Sequence, residues 1–301
     1  MTGLGALVRR NIKLYFKDKG MFLTSLITPV ILLVLYVTFL GSVYRDSFVS
    51  PFESMGVTLP EKVIDGFVGG QLVSSILAVS CVTVAFCSNL LSVQDKISGA
   101  RRDLNISPVR TSVIALSYFI STFTVSLIIS FAAAAVCFVY LSFIGWFMTA
   151  AQTAALLAQV VLLVLFGTAL SSCIVFPLST QGQSSAVGTV VSAGYGFICG
   201  AYMPVASFSP WLQKVLMFLP GTYGTALIRN CALNGVFDEL QALNIPVSVI
   251  EQLRDGVDCN LYFFDNKVGT GAMAAVMVLS VAVLIGVYLL LNALSAKNAK
   301  K

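Results

Sequence analysis

From Thr111 to Gln213 the chain carries no Asp, Glu, Lys, Arg or His. At 1.5 Å per residue that stretch amounts to about 155 Å of helix. One pass through a bilayer takes about 20 apolar residues, so the stretch holds three passes with turns between them. Two more charge-free stretches precede it, one between Lys19 and Arg45 and one from Gly66 to Gln94. In hydrocarbon only helices and closed barrels satisfy the backbone. These apolar runs are continuous, whereas barrel strands alternate, which excludes a barrel. The charged share of 10% in 301 residues is well below the roughly 25% of a soluble chain. The chain is therefore read as an all-α polytopic membrane protein, a single transmembrane domain over residues 1–301. The first apolar run is too long for a cleavable signal peptide and lacks a small-residue cleavage site.

The charge gaps predict six transmembrane helices, at about 21–42, 68–92, 111–142, 153–175, 184–203 and 270–293. Turns fall at Phe143–Gln152 and Pro177–Gln183. An even number of spans puts both termini on one side. That side holds 12 of the 18 basic residues and only Asp18, Asp95 and Asp103 as acids, so the positive-inside rule makes it cytoplasmic.

Three segments outside the spans are patterned. Residues 3–20 form an amphipathic helix with Leu4, Leu7, Val8, Ile12 and Tyr15 on one face and Arg9, Arg10, Lys13 and Lys17 opposite. Such a helix lies in the cytoplasmic interface, its cations near anionic headgroups. The loop at 93–106 carries Val93, Ile97, Ala100 and Leu104 on one helical stripe, with Asp95 and Arg102 behind. It predicts a short helix, a break at Asn105–Ile106, and a new helix capped by Ser107–Pro108. As a pattern the stripe leaves three readings open: docking to a protein partner, lying on the bilayer surface, or a plain solvated loop. Residues 204–268 predict an extracellular re-entrant hairpin and cap. Ser209–Pro210 starts a helix there, and Lys214, Pro220–Gly221 and Arg229 interrupt the apolar run. Non-helical backbone at that depth must be buried in protein or line a wet cavity.

Several chemistries are missing. There is no histidine and no charge inside any expected span, where ion-coupled transporters place their coupling groups. No phosphate-binding Gly-x-x-x-x-Gly-Lys-Ser/Thr loop occurs. No metal-spaced Cys/His set occurs either. Serines and threonines abound without a companion base. No catalytic residue, metal site or cofactor is expected on this chain. Cys81, Cys87, Cys137, Cys173 and Cys199 read as small apolar fillers. Cys231 and Cys259 are both expected outside, where a disulfide could staple the cap.

Three segments in order then resemble one family. VRRNIKLYFKDKGMFLTSLITPVILLVLY, with Pro29, is similar to an elbow helix leading into a first span. DKISGARRDLNISPVR is similar to the loop after a second span. YMPVASFSPWLQKVLMFLPGTYGTALIR, with Pro204, Pro210, Trp211 and Pro220, is similar to a segment after a fifth span. Together they resemble the permease subunit of ATP-binding-cassette exporters, in the branch serving drug, peptide and polysaccharide export. The sequence departs from that pattern at Gln94–Asp95–Lys96, where relatives often carry a more acidic cluster.

The resemblance implies a bacterial cytoplasmic-membrane location, a second permease subunit, identical or homologous, and a separate ATPase that holds ATP and Mg. It implies a coupling helix made by Val93, Asp95, Lys96, Ile97, Ala100, Arg101, Arg102 and Leu104, flanked by the elbow cations Arg9, Arg10, Lys13 and Lys17. It further implies that the second and fifth spans line the pathway, with Phe86, Asn89, Tyr195, Phe197 and Met203 as candidates. Membrane lipids are the expected surroundings, and no nucleic-acid partner is expected. The uncharged spans favour a hydrophobic or amphipathic cargo. A gradient-driven transporter or channel, and a non-transporting immunity or sensor subunit, are the competing classes.

Overall fold

The computed structural model describes residues 3–54, 56–264 and 266–298, without the side chains of residues 54 and 296–298. Of the 12 basic residues assigned to the cytoplasmic side, Lys300 and Lys301 lie outside the described residues, as does the Lys297 side chain.

The described chain is helical apart from one small hairpin. Helix α1 (Leu4–Lys17) lies before the apolar core. Asp18 accepts the Met21 amide at 3.1 Å and starts α2 (Lys19–Leu35). A π-turn at Tyr36–Leu40 joins α2 to α3 (Gly41–Ser54). The first apolar helix therefore runs past the expected end at residue 42, because Gly41 continues the helix through the π-turn rather than stopping it. Helix α4 (Glu61–Asn89) begins seven residues before the expected second span. Two short helices follow, α5 (Leu91–Ile97) and α6 (Ala100–Ile106). Then come α7 (Thr111–Ile144), α8 (Ala150–Val175) and α9 (Gln181–Ile198). Thr149–Gln152 and Thr180–Gln183 form reciprocal capping boxes at the starts of α8 and α9, which satisfy amide donors that the first turn leaves free. Both boxes fall in turns expected from the sequence.

Among the described residues, five helices are long and apolar enough to cross a membrane: Lys19–Glu53, Glu61–Ile97, Thr111–Ile144, Ala150–Val175 and Thr270–Ser295. The expected span at 184–203 corresponds to α9, which opens on the polar run QGQSS and is not one of the five.

The 204–268 segment differs most from expectation. A 3-10 turn (Val205–Ser207) leads to α10 (Pro210–Leu216), with Pro210 in its first turn as the Ser209–Pro210 pair predicts. Next comes α11 (Pro220–Ala242), 23 residues without interruption. Arg229 does not break this helix; it is fully buried within it. Helix α12 (Val247–Gly256) and an antiparallel hairpin, β1 (Leu261–Phe263) with β2 (Asn266–Val268), complete a small cap before α13 (Thr270–Asn298).

Helix α4 is the axis of the fold. It packs on α2, α7, α8 and α11, and its residues from Gly69 to Asn89 are all buried. Apolar lipid gives helices little reason to associate by hydrophobicity, so close van der Waals packing at small residues holds such bundles together. Gly167 of α8 lies so close to α4 that an added Cβ would meet the Cys81 carbonyl oxygen at 3.0 Å. Gly235 of α11 faces the turn before α8 more tightly still: a Cβ there would lie 1.9 Å from the Phe147 carbonyl oxygen. The outward faces of α2 and α13 are exposed and apolar, with Val30, Val34, Leu279 and Leu290 among them. Those faces suit lipid, which identifies a multi-pass membrane protein.

Candidate functional site

One end of the bundle carries α1, α5 and α6, and here the structure departs from a simple amphipathic stripe. Asp95, expected behind the apolar stripe, is buried. Arg10 of α1 reaches it with two nitrogens, at 2.6 and 3.0 Å. The Tyr118 hydroxyl of α7 donates to the same carboxylate. Asn11, also buried, donates to Ser117 at 3.5 Å. Three helices thus meet at one carboxylate. The reason is chemical: a buried carboxylate needs a countercharge and donors, and the Arg10 fork supplies two of them. The carboxylate in turn raises the Arg10 pKa above its ordinary value. Arg9, Lys13 and Lys17 stay exposed, as an interfacial helix requires.

The break in the loop falls at Ser98–Gly99 rather than at Asn105–Ile106. Gly99 takes a left-handed conformation, φ 84°, which glycine adopts without a Cβ penalty. Splitting one helix into two takes the stripe apart. Val93 turns into the core and is fully buried. Ala100 and Leu104 are half-buried, while Ile97 and Arg102 are exposed. Helix α6 continues through Ile106, whose side chain is 79% exposed. Ser107 bonds back to the Leu104 carbonyl at 2.6 Å and closes α6 instead of opening α7, whose N-cap is Arg110. The tip therefore presents Ile97, Arg102 and Ile106. Ile106 was hidden from sequence reading because it sat at the expected break.

The remaining cations of the loop turn inward. Lys96 donates to the carbonyls of Phe176 and Leu178 at 2.6 and 2.8 Å, holding the end of α8. The Arg101 guanidinium lies over the Tyr118 ring, 5.2 Å from its centroid.

A cleft runs between the first apolar helix and α9. Toward the α1 end it measures about 630 Å³ and is edged by Asp18, Gln94, Gln181 and Ser185. Toward the cap it measures about 840 Å³ and is lined by Leu35, Phe39, Phe197, Met203 and Leu253. Ile31, Ser192 and Ala193 border both parts. Phe197 and Met203 thus face open space. Phe86, Asn89 and Tyr195 do not: all three are buried, and Asn89 donates to Ser171 and Ser172 at 3.2 Å each.

At the opposite end a second buried charge pair joins α11 to the cap. Arg229 donates to the carbonyls of Val257 and Gly200 at 2.8 Å each and to Asp258 at 3.2 Å. Asp258 also accepts the amides of Val205 and Ala206 at 2.6 and 3.1 Å. Burial pushes the Asp258 carboxyl pKa up, against the pull of Arg229 and the two amides. Sequence reading missed this clamp because Arg229 read as an interruption of the apolar run and Asp258 as one acid among several. Cys231 and Cys259, between which a disulfide could have stapled the cap, are free thiols in this structure. Burial pushes the Cys259 thiol up to about 12, which leaves it inert as a nucleophile.

A family model described as ABC-2 type transporter matches residues 2–233. No curated protein matches the chain. The matched region spans α1 to the middle of α11, so it takes in the three-helix junction, the exposed tip and both helices of the cleft. The chain belongs to the ABC-2 type transporter family and is a transport component of the membrane rather than a catalyst.

Proposed function

We propose that this ABC-2 type transporter chain is the permease subunit of an ATP-driven exporter. A separate ATPase docks on the α5–α6 tip, and two permease subunits pair. In this reading α9 is the sixth span, α1 is the elbow helix, and α10–α11 form the re-entrant hairpin on the extracellular side. Both chain ends lie in the cytoplasm of a bacterial cell.

The observation that carries the reading is a braced loop with an exposed apolar tip. Asp95 ties α5 to α1 and α7, and Lys96 ties it to the end of α8. Force applied at Ile97, Arg102 and Ile106 would pass through those bonds to three helices at once. Helix α4 continues directly into α5 and contacts α9, so movement at the tip reaches one wall of the cleft. The chain supplies no nucleotide loop of its own. The energy then comes from the docked subunit, whose ATP and Mg stay on that subunit.

The cleft supports a hydrophobic or amphipathic cargo. Its cap end is walled by apolar and aromatic side chains, and its other end adds Asp18, Gln94, Gln181 and Ser185 to apolar side chains such as Met21 and Ile27. Such a gradient admits a molecule with an apolar body and a polar head. The pathway residues best supported are Phe197 and Met203; Phe86, Asn89 and Tyr195 serve packing.

The test is Ile106→Asp and Ile97→Asp in the full transporter. The reading expects ATP hydrolysis to persist while cargo export falls at least about tenfold, the effect of about 1.4 kcal/mol of lost coupling. Full export by both variants would reject the tip as the docking point. Gradient-driven transport by this chain alone would favour the secondary-transporter class.

A further inference from the structure

A separate cavity of about 510 Å³ opens between α6, α7 and α13, beside the α8 end, away from the cleft. Its mouth carries Lys96, Arg101 and Asn105. Its deeper wall is Leu116, Phe119, Ile285 and Leu289. Phe119 lies eight residues into α7, about 12 Å below the helix start. The cavity is thus cationic where the helices begin and apolar where they enter hydrocarbon. Tyr288 forms its back, stacked on Phe119 at 5.8 Å and bonded to the Ala115 carbonyl at 3.0 Å.

Among the described residues no carboxylate lines the cavity and none pairs with Lys96 or Arg101, so neither cation has a counterion there. Asp95, the acid of the same segment, is already engaged by Arg10. Lys96 spends two donors on carbonyls and keeps a third. The two charges also stand close enough to repel one another. Two uncompensated cations over an apolar slot match a ligand with an anionic head and a hydrocarbon tail.

We propose that this cavity binds one anionic phospholipid, its phosphate at Lys96 and Arg101 and its upper acyl chains against Leu116, Phe119 and Leu289. The lipid comes from the leaflet on the α1 side, which the proposed topology makes cytoplasmic, where anionic lipids and basic pockets meet. Bound there, the lipid would join α6, which carries the docking tip, to the end of α8 through the two cations.

Native mass spectrometry of the full chain in detergent tests this with phosphatidylglycerol and phosphatidylcholine of matched chains. One retained phosphatidylglycerol is expected, in preference to phosphatidylcholine. Arg101→Gln should weaken its retention about fivefold, the worth of one cation near a lipid surface. Lys96→Gln with Arg101→Gln should abolish the preference, while Arg102→Gln, which changes charge on the same helix outside the cavity, should leave it. Equal retention of phosphatidylcholine, or wild-type retention by Arg101→Gln, would overturn the proposal. So would displacement of the lipid by millimolar inorganic phosphate, which would mark a free-anion site. No ATPase is present in this experiment, so its failure leaves the docking role of Ile106 to be judged by the export assay.

Discussion

Arg10 and Asp95 should behave as a coupled pair, and a double-mutant cycle measures it. In Arg10→Gln the Asp95 carboxylate, with its side chain only 7% exposed, loses both of its Arg10 bonds and keeps Tyr118. A hydrogen bond to a charged group is worth about 1.5–3 kcal/mol. The Arg10 side chain is 31% exposed, so solvent screening reduces the combined loss to about 2 kcal/mol. Asp95→Asn removes the charge but keeps an oxygen for Tyr118, while the Arg10 side chain can turn to water; its cost should be about 1 kcal/mol. The double variant should cost about 2 kcal/mol, not the sum of about 3, leaving about 1 kcal/mol of coupling. The assay is thermal unfolding in detergent, paired with timed tryptic cleavage. Because the bond anchors α1, cleavage after the exposed Arg9, Lys13 and Lys17 should accelerate in Arg10→Gln before global unfolding changes. Additive costs in the double variant, or unchanged cleavage of α1, would refute the three-helix junction.

Two further outcomes follow from close contacts. Gly235→Ala gains about 1 kcal/mol of helix propensity but drives a Cβ against the Phe147 carbonyl. Overpacking of about 1–3 kcal/mol should prevail and lower the melting midpoint, whereas Gly194→Ala, with nothing within 4 Å, should raise it slightly. Asp258→Ala leaves Arg229 buried without a countercharge and should cost about 3 kcal/mol. Arg229→Met combined with Asp258→Asn should be milder than Asp258→Ala alone, as thermal unfolding of the three variants would show.

The spans were legible because lipid imposes a crude rule: about 20 uncharged residues per helix. That rule found α4, α7, α8 and α13 to within a few residues at most of their ends. It failed at Gly41, where a π-turn carries the first helix onward, since no local composition marks a π-turn. It also misjudged Arg229, because a charge in an apolar run reads as an interruption unless its partner is known. That partner, Asp258, stands 29 residues away. The α5–α6 loop shows the same limit. A stripe drawn through Val93, Ile97, Ala100 and Leu104 assumes one straight helix, and Gly99 bends the chain between them. The buried side of the loop was fixed instead by Arg10, 85 residues upstream of Asp95. Periodicity describes one element at a time, and these contacts lie between elements.

In the proposed function a separate ATPase seated on the α5–α6 tip moves this chain. The most direct measurement is cargo export by reconstituted vesicles holding the chain and its ATPase, with and without ATP, for wild type and Ile106→Asp. Export is expected only with ATP, and should be lost in Ile106→Asp while hydrolysis continues. Export that proceeds without ATP on an ion gradient, or that survives Ile106→Asp undiminished, would contradict it.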